Sequence, residues 1–201
     1  MLEKVSSEKK LDPRVRRTRQ MLVTALRNLL AEKGFEAITV QDIADRATLN
    51  RVTFYAHFND KYDLLEYTMR AMFRAEVRAE IPEEAPFSAD NLAHLIQLVA
   101  QMLAQTKGHC PPPRGQMDTL MEKQIKAELY AILLAWLGQG AAGEMGQPAS
   151  PEQAAMIASW AIYGAAVQWS DKIPREPAAE FARQVLPLIM ASLQPLAHAY
   201  A

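Results

Sequence analysis

From Val15 onward, apolar residues recur at Leu22, Ala25, Leu26, Leu29 and Leu30, the spacing that lines one face of an α-helix. The stripe stops at "EKGF", where Gly34 suits a left-handed C-terminal cap. Thr39 with Asp42 three positions on has the form of a capping box, and Val40, Ile43, Ala44 and Ala47 supply the apolar face of a helix of barely two turns. Thr48 and Leu49 interrupt that pattern. Asn50 then suits the N-cap of a third short helix whose apolar stripe is Leu49, Phe54 and Phe58. Asp60 with Asp63 repeats the capping pattern for a fourth helix, which continues to about Glu80 and ends at the prolines of "IPEEAP".

The remainder reads as helices over 88–106, 116–137, 151–170 and 176–197, separated by "KGHCPPPRG", "GQGAAGEMGQPAS" and "DKIPR". Pro187 predicts a kink in the last of these, or an end and a restart. No run alternates with the period of a strand, so the expected fold class is all-α with about nine helices. Residues 1–62 are expected to form a three-helix N-terminal domain preceded by a flexible basic arm, 1–13. Residues 63–201 are expected to form a larger helical domain.

Charge sharpens this division. The 201 residues carry a formal net charge of -1, but residues 1–62 hold 12 Lys and Arg against 8 Asp and Glu, and residues 63–201 hold 10 against 15. A basic first domain favours an anionic partner. The single cysteine, Cys110, offers neither a disulfide nor a CxxC metal pair, which fits a reducing, cytoplasmic setting. The N-terminus lacks the apolar core of a signal peptide, and no stretch of the sequence is apolar enough to span a bilayer, so no membrane partner is expected.

Two short helices joined by a tight turn and backed by a longer one describe a helix-turn-helix unit, whose second short helix enters the major groove of double-stranded DNA. A helix that only packs needs an apolar stripe and nothing more. The third helix also carries Arg51, Thr53, Tyr55 and His57, with Lys61 just beyond. Hydroxyl, imidazole and ammonium groups suit phosphate oxygens, and Arg51 has the forked donors to read a base edge.

The segment "GFEAITVQDIADRATLNRVTFYAHFNDKYDLL" resembles the tetracycline repressor (TetR) family of bacterial regulators, and the resemblance extends over about residues 14–66. It implies that Thr39, Thr53, Tyr55, His57 and Lys61 sit where family members contact phosphates, and that Asn50, Arg51 and Val52 sit where they meet base edges. One departure stands out: the family often has Gly in the turn, where this chain has Thr48, a β-branched residue strained at positive φ.

One short recognition helix reads only a few base pairs, so a homodimer on a palindromic operator is expected. "PEQAAMIASWAIYGAAVQWSD" mixes small and aromatic residues, and Ser159, Trp160, Tyr163, Gly164 and Val167 are candidates for the dimer interface. Met69, Met72, Phe73, Leu98, Met102, Trp136 and Met156 are candidates for the lining of a small-molecule effector site, and are equally compatible with plain core. His109 and Cys110 have no suitably spaced partner for a metal, and no cofactor motif occurs. Cys110 reads as a silent loop thiol rather than a redox sensor. Catalytic signatures such as HExxH and GxSxG are missing, so an enzyme is not expected. The reading is a ligand-responsive transcriptional repressor; the alternative is a helical small-molecule-binding protein that does not bind DNA.

Overall fold

The computed structural model describes residues 12–82, 84–109, 115–140 and 150–193. Cys110, Pro195 and residues 1–11 of the expected arm lie outside them. Among the described residues the chain forms eight α-helices and a 3-10 turn, with no strand: α1 (Pro13–Glu32), the 3-10 turn (Phe35–Ala37), α2 (Val40–Arg46), α3 (Arg51–Tyr55), α4 (Lys61–Glu80), α5 (Ala89–His109), α6 (Gly115–Gly140), α7 (Pro151–Asp171) and α8 (Ala178–Leu193). The ninth helix expected from a restart at Pro187 is not seen, because α8 continues through that proline. Pro187 and Arg183, whose carbonyl loses its intrahelical partner there, are both exposed, so water can take the vacated bond.

Two compact units divide the chain, Met1–Met69 and Arg70–Ala201. The division falls inside α4 rather than at its start, because Leu64, Leu65 and Thr68 in its first turns are buried and serve the first unit's interior. There they join Leu22, Leu26 and Leu29 of α1, Ile43 and Ala44 of α2, and Phe54 of α3. The second unit is built around α5 and α7. Leu92, Leu95, Ile96 and Val99 meet Leu129, Leu133 and Trp136 of α6, and Phe181, Ala182 and Ile189 of α8.

On α7, the inward face is made of Ala155, Ala158, Ile162 and Ala166, and the three alanines at helical spacing let neighbouring helices approach closely. Across the α4–α6 contact of the second unit, Glu128, buried, receives Arg74 Nε at 2.6 Å and Nη2 at 3.1 Å, with Arg70 Nε at 3.5 Å. Arg70 also donates to Gln124. No helix among the described residues is long and apolar enough to cross a membrane.

Candidate nucleic-acid interface

The first unit begins with a helix capped earlier than its apolar stripe implies. Asp12 Oδ1 accepts from the Arg14 N–H at 2.7 Å and Pro13 occupies the first helical position, where a missing N–H costs nothing. Arg14, Arg16, Arg17 and Arg19 therefore all stand on α1. At its other end the expected left-handed Gly34 is not found. Gly34 has φ -61 and ψ 148, because the chain turns at an extended Lys33 straight into the 3-10 turn.

The capping box of α2 is present in full. The Asp42 N–H donates to Thr39 Oγ1, and Asp42 Oδ2 accepts from the Thr39 N–H at 2.8 Å. The same carboxylate accepts from Thr39 Oγ1 and from Lys33 Nζ at 2.9 Å. Backbone and side-chain donation from Thr39, together with Lys33, holds the Asp42 carboxyl at about 2. A second tie locks α2 to α1: Arg46 donates both Nη groups to the two Glu32 oxygens at 2.7 Å.

The turn between α2 and α3 resolves the question raised by Thr48. Its φ is 57, the left-handed conformation that glycine adopts without cost. The Thr48 N–H donates to Asp45 O at 3.0 Å and the Leu49 N–H donates to Ala44 O at 2.9 Å, the paired bonds of a Schellman motif, which fix the αL residue one step past the Ala47 cap. Thr48 thus occupies the glycine position with its backbone unchanged and its strain retained.

Asn50 then opens α3. Its Oδ1 accepts from the Thr53 N–H at 2.7 Å and from Thr53 Oγ1 at 2.9 Å, so the cap uses the Asn50 amide oxygen and the Thr53 hydroxyl, and Asn50 as a whole is exposed. Phe54 is completely buried and stacks edge-on with Tyr55, which sets the rotation of the helix. Arg51 and Tyr55, four apart, are exposed; the guanidinium donates to the Tyr55 hydroxyl at 3.3 Å and lies 5.8 Å from its ring. Val52 is 79% exposed. His57 is half-buried. Burial pushes its imidazole below the ordinary value, and the positive charge of Arg19 adds to this.

Two site residues are not where a simple list of outward donors puts them. Lys61 faces inward: its Nζ donates to the carbonyls of Phe35, Glu36 and Ile38 at 3.1, 3.2 and 2.9 Å and lies 4.7 Å from the Phe35 ring centre. An ammonium has three N–H donors, so a phosphate contact for Lys61 would require it to give one up. Thr39, likewise, spends its hydroxyl on Asp42.

Arg19 is the residue that pattern reading missed. Its guanidinium lies 5.6 Å from the Phe58 ring centre and 5.4 Å from that of Tyr67, bracing α1 against α4 and the end of the recognition segment. Spacing within α1 carries no sign of this, since both rings come from distant positions.

In the second unit the candidates separate. Phe73, Leu98, Met102 and Trp136 belong to one packed cluster. Met72 and Met156 are on the surface, 41% and 49% exposed, and Met69 belongs to the first unit. Of the interface candidates, Trp160 is 61% exposed and Gly164 is exposed, Tyr163 and Val167 are half-buried, and Ser159 is turned into the core, donating to Met156 O.

The first unit is therefore a helix-turn-helix domain with an exposed, polar-flanked second helix. Residues 22–68 match the family described as bacterial regulatory proteins, tetR family. An uncharacterized HTH-type transcriptional regulator of Bacillus subtilis (strain 168), YxbF, is 43% identical over 60 residues, which are 29% of this chain and 16% of that protein. The match thus spans about a sixth of that relative's length.

Solved structures extend the likeness to the whole fold. Thermus thermophilus FadR, a TetR-family repressor solved with lauroyl-CoA, superposes with a TM-score of 0.56 at 22% identity, over 91% of this chain and 98% of that one. A TetR-family regulator from Streptomyces coelicolor gives 0.59 at 18% identity, over 90% and 97%.

Proposed function

We propose that this protein is a transcriptional repressor that binds an inverted-repeat operator as a homodimer and is released by a small-molecule effector seated in its second unit. The observation that carries the proposal is the outer face of α3. It is rotated away from the interior by Phe54 and edged on both sides by hydrogen-bonding side chains, the form a helix needs to lie between two phosphate backbones. Arg51, Tyr55, His57 and the Asn50 amide are the groups offered to DNA, with Thr53 held to the Asn50 cap through its hydroxyl and the arginines of α1 adding positive charge. Lys61 and Thr39 hold the frame on which they stand.

Pairing is supported by the outward face of α7, where Met156, Ile157 and Trp160 are each about half exposed or more, a concentration of apolar surface that a second copy would cover. Release by an effector is supported by α4, which is continuous from one unit into the other. Its first half is anchored by Leu64, Leu65 and the Lys61 bonds, and its second half by the Arg74–Glu128 pair. A ligand that binds better when α4 is shifted would weaken operator binding, and DNA would weaken ligand binding by the same factor. Such a regulator works in the cytoplasm.

Selection of binding sites from random duplexes by the full chain tests this. A palindromic motif is the expected result, with Arg51→Ala relaxing one position symmetrically in both half-sites. No enrichment of any duplex at low salt would overturn it.

A further inference from the structure

The rotation of α3 fixes which of its residues stands farthest from the protein. At about 100° per residue, the direction opposite the buried Phe54 falls between Val52 and Ala56, both exposed. Arg51 and Tyr55 form one flank of this crest, and Thr53 and His57 form the other. A helix laid in a groove in this orientation presents its flanks to the phosphate walls and its crest to the floor.

The crest is apolar. Val52 offers two methyl groups on a β-branched side chain with little rotamer freedom to lose, and its 79% exposure leaves them without protein neighbours over most of their surface. Ala56 is too small to hold the helix away from the floor. The base edges in the major groove carry donors and acceptors, which a valine cannot satisfy, and a single apolar group, the 5-methyl of thymine.

We propose that Val52 reads thymine through that methyl group, so that each operator half-site carries a thymine facing the crest of α3. The inference rests on the DNA-binding reading above and adds the chemical group recognised. Arg51, held on the flank by the Tyr55 hydroxyl, is then free to serve a neighbouring base or the backbone without competing for the same position.

The test uses the full chain and its selected palindrome, with thymines replaced by deoxyuridine one symmetric pair at a time, which removes the methyl and leaves pairing intact. One pair is expected to weaken binding about fourfold per half-site, the effect of exposing a single methyl-sized group. Val52→Ala, which alters no buried contact, is expected to bind more weakly and to be indifferent to that exchange. A palindrome whose binding ignores every deoxyuridine pair, or a methyl dependence that persists in Val52→Ala, would overturn this inference alone. Failure to select any duplex would overturn the DNA-binding reading and this inference together.

Discussion

Thr48 holds the turn of the helix-turn-helix unit in a conformation that its side chain opposes. The two Schellman bonds keep the backbone at φ 57, and for a non-glycine residue the left-handed region costs about 1–2 kcal/mol. Replacing Thr48 with Gly removes that cost and adds some unfolded-state entropy, so Thr48→Gly should stabilise the unit by about 1 kcal/mol, read as a higher denaturation midpoint in urea; a lower midpoint would mean that the threonine makes a compensating contact. That a β-branched residue sat at a glycine position was legible in the sequence, whereas the backbone it adopts required the hydrogen bonds. His57 gives a second residue-scale expectation. Its folded pKa is depressed by burial and by Arg19, so the stability it contributes is present above its ordinary value of about 6.5 and is lost as pH falls through the folded value. Melting temperature should drop on acidification from pH 7.5 to 5.5, and less so in His57→Gln. Phosphates beside the imidazole act in the opposite sense, so operator binding should take up a proton and tighten as pH falls.

Among the elements, the short helices were the most legible because their starts are written in side chains. Thr39 with Asp42, and Asn50, cap in the structure as their residue types require. The Asp60 pattern is realised with a shift: Asp60 caps the Asp63 N–H, while Asp63 reaches back to the Asn59 N–H at 3.1 Å. Tertiary ties were not legible. Lys61 and the carbonyls it caps are more than twenty positions apart, and nothing in the pattern of α4 shows that its first lysine turns inward. Gly34 misled in another way: its φ of -61 is open to any residue, and a Cβ there would meet nothing within 4 Å. The role now given to Lys61 predicts a separation of effects. Lys61→Met should lower the melting temperature by leaving three carbonyls short of a donor, at a cost of about 1–3 kcal/mol. The slope of log affinity against log salt should stay unchanged, because no phosphate contact is lost. A slope reduced by about one unit would instead return Lys61 to the phosphate contacts.

For the molecule as a whole, the all-α architecture followed from helical periodicity, and the helix-turn-helix unit from its capping and apolar spacing. The second unit was legible only as helices, because residues such as Phe73, Trp136 and Met156 have the same character whether they line a cavity, fill a core or face a partner. Packing alone separates them, and it sends Phe73 and Trp136 inward and Met156 outward. The outward face of α7 carries the expectation of pairing: Trp160→Ala combined with Ile157→Ser should shift the protein from dimer toward monomer in sedimentation velocity and weaken operator binding with it. Unchanged sedimentation would place the interface elsewhere. The central claim is that the exposed face of α3 enters the major groove, twice in each assembled molecule. Methylation interference at guanine N7, a major-groove atom, tests it most directly on the selected operator. The account predicts two symmetric clusters of interfering guanines with centres separated by about one helical turn or a multiple of it, and no interference from methylation of adenine N3 in the minor groove beneath them. Binding that tolerates N7 methylation throughout, or that is blocked from the minor groove instead, would contradict it.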